Sequence, residues 1–120
     1  ALHTDALQEE TEHLSELVEN VLNYIGAHIH EALTLESIAK QFYISKYHLS
    51  HAFSREVGVS VYRYIMMRRL LMARQLLAAG QPAGQVCRSC GFSDYASFYR
   101  AFKSEYGISP RAFISGSTST

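Results

Sequence analysis

The chain has 120 residues, 48 % of them hydrophobic and only two of them proline, which describes an ordered chain of one domain, or of two small subdomains sharing an element, since a core much below about 60 residues is marginal by itself. No run approaches the roughly 20 apolar residues of a membrane span, and the acidic N-terminus is unlike a secretory signal, so a cytoplasmic protein without a membrane partner is expected. Eleven bases cancel eleven acids, but residues 1–37 hold eight acids and no Lys or Arg, whereas residues 38–120 hold all eleven bases against Glu56, Asp94 and Glu105, a net +8; such asymmetry is a hint of polyanion contact, because phosphate binding is driven largely by Lys and Arg displacing condensed counterions.

Residues 1–10 read as an extension or linker remnant ahead of the first element. From Thr11 to about His28, apolar Leu14, Leu17, Val18, Val21, Leu22 and Ile25 recur at three and four, the mark of an amphipathic helix with an acidic outer face. Thr34 offers an N-cap to a short helix through Ile38 and Ala39 to about Gln41. Ser45 caps the next, whose inner stripe is Leu49, Ala52, Phe53 and Val57 and which ends at Gly58. Ser60 caps a long helix, "VYRYIMMRRLLMARQLLAAG", that stops at Gly80 and Pro82. Its apolar residues cover much of its circumference, so it has neighbours on more than one side and serves as a central strut.

After Pro82 the pattern returns: a short helix from about Ala83 to Cys90, then Ser93 or Asp94 as cap, then Phe98, Phe102 and Tyr106 as inner stripe, then Gly107. Ser109 at N-cap and Pro110 at N1 close the fold, and residues 115–120 read as a disordered tail. No segment alternates with the period of a strand. The expectation is an all-α protein of about seven helices, in which a subdomain at 11–58 and another at 81–114 are joined by a linker helix at 59–80.

The chain repeats itself. An offset of 48 places Ile38 on Val86, Ile44 on Phe92 and Ser45 on Ser93; an offset of 49 then pairs Leu49 with Phe98, Phe53 with Phe102, Glu56 with Glu105, Gly58 with Gly107 and Ser60 with Ser109. Each copy has the layout of a helix-turn-helix, a short helix, a tight turn and a second helix with a free outer face. With the stripe facing inward, the outer residues are Lys46, Tyr47, Ser50, His51, Ser54 and Arg55 in the first copy, and Tyr95, Ala96, Ser97, Tyr99, Arg100, Lys103 and Ser104 in the second. Donors, small residues and aromatic edges with few acids suit the major groove of double-stranded DNA. A strut of 20 residues spans roughly 30 Å at about 1.5 Å per residue, close to the roughly 34 Å between successive major-groove faces on one side of B-DNA.

Cys87 and Cys90 form a lone CxxC beside Val86 and Phe92 and read as core packing, since free cysteine is among the most buried residue types. A zinc site needs two further ligands; no second CxxC or HxxxH exists, and His28 and His30 point to different faces of a helix. Nothing calls for a metal or another cofactor, and no nucleophile–base pair or phosphate-cradling glycine loop suggests an enzyme. The competing reading is a helical protein-interaction module whose acidic first helix binds a basic partner.

"LTLESIAKQFYISKYHLSHAFSREVGVSVYRYI", "RRLLMARQLL" and "VCRSCGFSDYASFYRAFKSEYGISPRAF", covering about residues 33–114, resemble the DNA-binding domain of the AraC/XylS family of bacterial transcription regulators. The resemblance implies a seven-helix domain that binds promoter DNA and contacts RNA polymerase, usually joined to a separate effector-sensing or dimerising domain. It places Tyr47, Ser50 and His51, with Lys46 nearby, at bases in the first reading helix, and Tyr95, Ala96, Ser97 and Arg100 in the second. Arg100 is the leading base contact, since a guanidinium can chelate guanine O6 and N7. Ser54, Arg55, Arg63, Tyr99 and Lys103 fall to phosphates, and Arg69 to a position that ties the two halves together. Three positions depart from the pattern. Tyr43 stands where the second copy has Gly91, Ala96 offers only a methyl, and Ile114 replaces a frequent arginine. Tyr47 and Tyr99 have core cover as their alternative use, His51 that of an idle surface histidine, and His48 reads as structural or solvated.

Overall fold

The computed structural model describes residues 14–118, so the expected extension at 1–10 and the first three residues of the expected first helix lie outside the described residues. Seven helices follow in order: α1 (Glu16–Ala27), α2 (Leu35–Gln41), α3 (Lys46–Val57), α4 (Val61–Ala78), α5 (Ala83–Ser89), α6 (Tyr95–Tyr106) and α7 (Pro110–Thr118), with no strand among the described residues. The all-α expectation holds.

Side-chain caps set most of the starts. Ser15, Thr34, Ser45, Ser60 and Asp94 accept from the main-chain N–H of Val18, Ser37, His48, Arg63 and Ser97, each worth about 1 kcal/mol. Ser109 Oγ likewise accepts from Ala112 N at 3.1 Å. Two boundaries differ from expectation. The first described helix begins at Glu16, because Ser15 is extended and its hydroxyl takes the cap, so Leu14 and Ser15 fall outside a helix in which both were expected. The last helix continues to Thr118, so residues 115–118 are helical where a disordered tail from 115 was expected; no proline follows Ile114 to stop it.

The apolar stripes close two cores. Val18, Val21, Ile25, Ile38, Leu49 and Phe53 form the first, joined by Val61 and Ile65 from the start of α4. Leu70, Ala73 and Leu77 from the rest of α4 build the second with Val86, Phe92, Phe98 and Phe102. This explains the apolar girth of the strut: its two halves serve different cores. α1 devotes Val18, Val21 and Ile25 to the first core, which leaves Glu16, Glu19, Asn20, Asn23 and Ala27 exposed.

Between the cores lies Arg69. Its Nε donates to the Ile29 carbonyl at 3.0 Å and Nη2 to the Glu31 carbonyl at 2.6 Å, holding the end of the α1 segment to the middle of α4. The turn between α5 and α6 rests on the same spot. Gly91 has φ +87°, and a Cβ there would stand 2.7 Å from the Ile29 carbonyl and 3.0 Å from Arg69 Nε. Its counterpart Tyr43 also has positive φ, +57°, a region that costs a non-glycine residue roughly 1 kcal/mol or more, but its side chain is 95 % exposed and meets nothing.

The two turns therefore respond oppositely to substitution. Gly91→Ala is expected to lose about 2–4 kcal/mol in urea unfolding, through strain and displacement of Arg69. Tyr43→Gly is expected to be neutral or to gain up to about 1 kcal/mol. A Gly91→Ala variant as stable as the parent would show that the turn does not rest on the junction.

Candidate nucleic-acid interface

Burial of Leu49, Ala52 and Phe53 turns the opposite side of α3 outward, and burial of Phe98 and Phe102 does the same for α6. Lys46, Tyr47, His51, Ser54 and Arg55 are exposed and Ser50 half-buried; on α6, Ala96, Tyr99, Arg100, Lys103 and Ser104 are exposed, with Tyr95 and Ser97 half-buried. Tyr47, at 76 % exposure, is not cover for the core. Tyr99 lies under the Lys103 ammonium, 5.9 Å from its ring centroid. His48 and His51 are both solvent-facing.

Not every outward residue is free to meet a ligand. Tyr95 packs edge-on to Phe98 with ring centroids 5.7 Å apart, and Arg111 sits 6.0 Å over its ring, a stacking partner on α7 that sequence reasoning missed. Ser97 gives its N–H to Asp94 Oδ1 at 2.7 Å and its hydroxyl to Oδ2 at 3.1 Å. Lys46 faces Glu36 at 3.6 Å across a shallow hollow at the α2–α3 turn. Arg63, expected at a phosphate, is paired with Glu105 at 3.0 Å. Ile114 is half-buried against the second core and so presents no charge where the family often has arginine.

What remains is a cationic surface whose nearby acids are already engaged, Asp94 in the cap of α6 among them. Glu56 accepts from Ser15 N at 2.7 Å and Glu105 is held by Arg63, so the only two acids on α3 and α6 are engaged. Arg55, Arg100 and Lys103 have no ion-pair partner among the described residues. Cys87 and Cys90 are free thiols inside the second core. Burial pushes both thiols up, Cys90 to about 11, as expected for plain packing and not for a reactive pair.

A family model described as a helix-turn-helix domain matches residues 38–115. The probable transcriptional regulator LumQ of Photobacterium leiognathi is 32 % identical over 92 residues, 76 % of this chain and 37 % of that protein. The transcriptional activator RhaS of Escherichia fergusonii is 31 % identical over 117 residues, 97 % of this chain and 42 % of that protein. The chain belongs to the AraC/XylS family.

Its fold is that of the family's solved domains. The C-terminal domain of AraT, a response regulator from Geobacillus stearothermophilus, superposes with a TM-score of 0.85 at 29 % identity, covering 88 % of each chain. The DNA-binding domain of AdpA, solved with a target DNA, superposes at 0.80 with 24 % identity, covering 85 % of this chain and 93 % of that one, a likeness of fold. This AraC/XylS chain spans about two-fifths of the length of its curated relatives, 37 % and 42 % for the two above.

Asp94, which starts the second outward helix, titrates in a way that can be measured. The two bonds from Ser97, with smaller help from Ser93 and Arg100, hold its carboxyl below the ordinary value. A lowered folded pKa means that the cap's contribution is present above the unfolded carboxylate range and fades as pH falls through the folded value. Between pH 6 and pH 2 the parent should lose more unfolding free energy than Asp94→Asn, which caps without titrating. Parallel pH curves for the two proteins would contradict the assignment.

Proposed function

We propose that this domain is the sequence-specific DNA-binding unit of a bacterial transcription regulator and lays α3 and α6 into adjacent major-groove segments on one face of a promoter. The observation that carries the reading is the repeat made solid. Two equivalent helices present exposed cations and hydrogen-bonding side chains, with every acid on them engaged, at the ends of a single 18-residue helix. That helix is about 27 Å long, within a few ångströms of the groove repeat of roughly 34 Å once the widths of the flanking turns are added.

Base reading falls to Tyr47, Ser50 and His51 with Lys46 on α3, and to Ala96 and Arg100 on α6, where Ala96 offers a methyl surface for thymine and Arg100 a fork for guanine. Tyr95 and Ser97 contribute chiefly by holding α6 in place, since their polar or aromatic groups are already engaged. Ser54, Arg55, Tyr99 and Lys103 serve phosphates. Among the described residues no helix is long and apolar enough to cross a membrane, and the domain acts on promoter DNA in the cytoplasm. It is a binding module and not an enzyme. The remainder of a regulator of this family supplies effector sensing or dimerisation, and RNA polymerase is the partner on the promoter.

Selection of bound sites from random duplexes supplies the target for fluorescence anisotropy. Log affinity should fall linearly with log salt, with a slope of roughly −0.9 per phosphate engaged. Arg100→Ala should cost about 1–3 kcal/mol and relax preference at one base position, whereas Lys103→Ala should weaken all sequences alike and reduce the salt slope by about one. Equal loss on every sequence for Arg100→Ala would defeat its assignment. Affinity indifferent to salt would defeat the whole reading.

A further inference from the structure

Arg63 and Glu105 are separated by 42 residues and meet at 3.0 Å, Nη2 to Oε2. Arg63 lies in the first turn of α4, where Ser60 Oγ caps its own N–H, between Val61 and Ile65 of the first core. Glu105 is the penultimate residue of α6, whose Phe98 and Phe102 anchor the second core. The pair thus joins the backbone of one half to the reading helix of the other. The first copy holds a counterpart. Glu56, the equivalent of Glu105, accepts from Ser15 N, and Ser15 lies 48 positions before Arg63. In each copy the glutamate at the end of the reading helix is tied to the start of the helix that precedes its own helix-turn-helix. In the first copy that bond stays within one half. In the second it crosses the junction, because the start of α4 belongs to the first core.

We propose that Arg63 and Glu105 form a positioning clamp that fixes α6 relative to α3, so that the spacing of the two reading helices is set by an ion pair and not by core packing alone. The clamp is the second of two ties on one helix. Arg69, six residues on, lies about 9 Å further along α4 and about 120° around it. A single tie leaves a swivel about itself; two ties on different flanks of one helix remove it. The clamp is also accessible to salt, its side chains being 52 % and 28 % exposed. Raising ionic strength then loosens the spacing of the reading helices in addition to screening phosphates.

The inference rests on the reading of α3 and α6 as gripping one duplex, and it predicts behaviour that a phosphate contact by Arg63 does not. Spin labels at Ser54→Cys and Ser104→Cys, both exposed positions, report the separation of the two helices by pulsed electron resonance without DNA; the native thiols are buried and do not take label. A single narrow distance is expected in the parent, a broadened one in Arg63→Ala and Glu105→Ala, and a narrow one again in the charge-exchanged Arg63→Glu/Glu105→Arg. By anisotropy, each single variant should bind a two-half-site duplex about two- to fivefold more weakly, the range for an exposed ion pair, while binding a single-half-site duplex as the parent does. The exchanged pair should regain the loss. An unchanged distance in Arg63→Ala overturns the clamp, as does failure of the exchanged pair to recover or an equal loss on the single half-site, either of which returns Arg63 to the phosphates. A parent that binds no duplex overturns the DNA reading itself, and the clamp's purpose with it, whatever the labels show.

Discussion

The arrangement depends first on one guanidinium. Arg69 holds the carbonyls of Ile29 and Glu31, and Gly91 lies against it with no room for a side chain. Burial disfavours the charge and lowers its pKa from the ordinary value, but two charge-assisted hydrogen bonds offset that cost and satisfy main-chain acceptors just past the end of α1. A lysine could fill neither the fork nor the distance between the two carbonyls. With Arg69 in place the end of the α1 segment, the middle of the strut and the second helix-turn-helix share one contact region. Without it the two cores would be linked only by the continuity of α4 and the solvent-exposed Arg63–Glu105 pair.

That constraint explains why two copies of one plan have diverged where they have. Both turns need a residue at positive φ, at Tyr43 and at Gly91. The first turn faces solvent, so the roughly 1 kcal/mol of left-handed strain is the whole cost of a tyrosine there. The second turn faces Arg69, so a side chain of any size would break the junction. Likewise the terminal glutamates kept their residue type while their partners changed from a main-chain N–H to an arginine. Position in the assembly, and not position in the repeat, decides what each copy tolerates.

The same distinction separates what was legible in the sequence from what was not. Caps, stripes and helix ends are local, governed by bonds three or four residues long, and they located all seven helices, the two cores and the outward faces of α3 and α6. Choices settled by tertiary geometry were not legible. One local choice was also left open, Ser93 or Asp94 as the cap of α6, and Asp94 takes it because its carboxylate reaches both the N–H and the hydroxyl of Ser97. Tyr95 reads as an outward residue by spacing yet leans onto Phe98 beneath Arg111. Arg63 looks like any surface cation until α6 brings Glu105 to it. The repeat itself extends one helix further back than sequence identity revealed, for Ile25 and Ala73, and Ile29 and Leu77, occupy matching buried places at the offset of 48, although no shared residue type marks them.

The divergence of the two outward faces carries a consequence for the DNA. On α3 the free groups are an exposed tyrosine, a histidine and hydroxyls; on α6 they are a methyl and an arginine fork. A symmetric dimer of one reading helix meets the same surface twice and reads a palindrome. Here unlike surfaces are fixed in one order along one rigid helix; if, as proposed, Arg100 and Tyr47 read bases, a reversed site would put Arg100 where Tyr47 belongs and leave the guanidinium without its acceptors, a loss comparable to that of a bidentate base contact, about 1–3 kcal/mol. On the proposed reading of α3 and α6, the domain therefore imposes a direction as well as a sequence on its site.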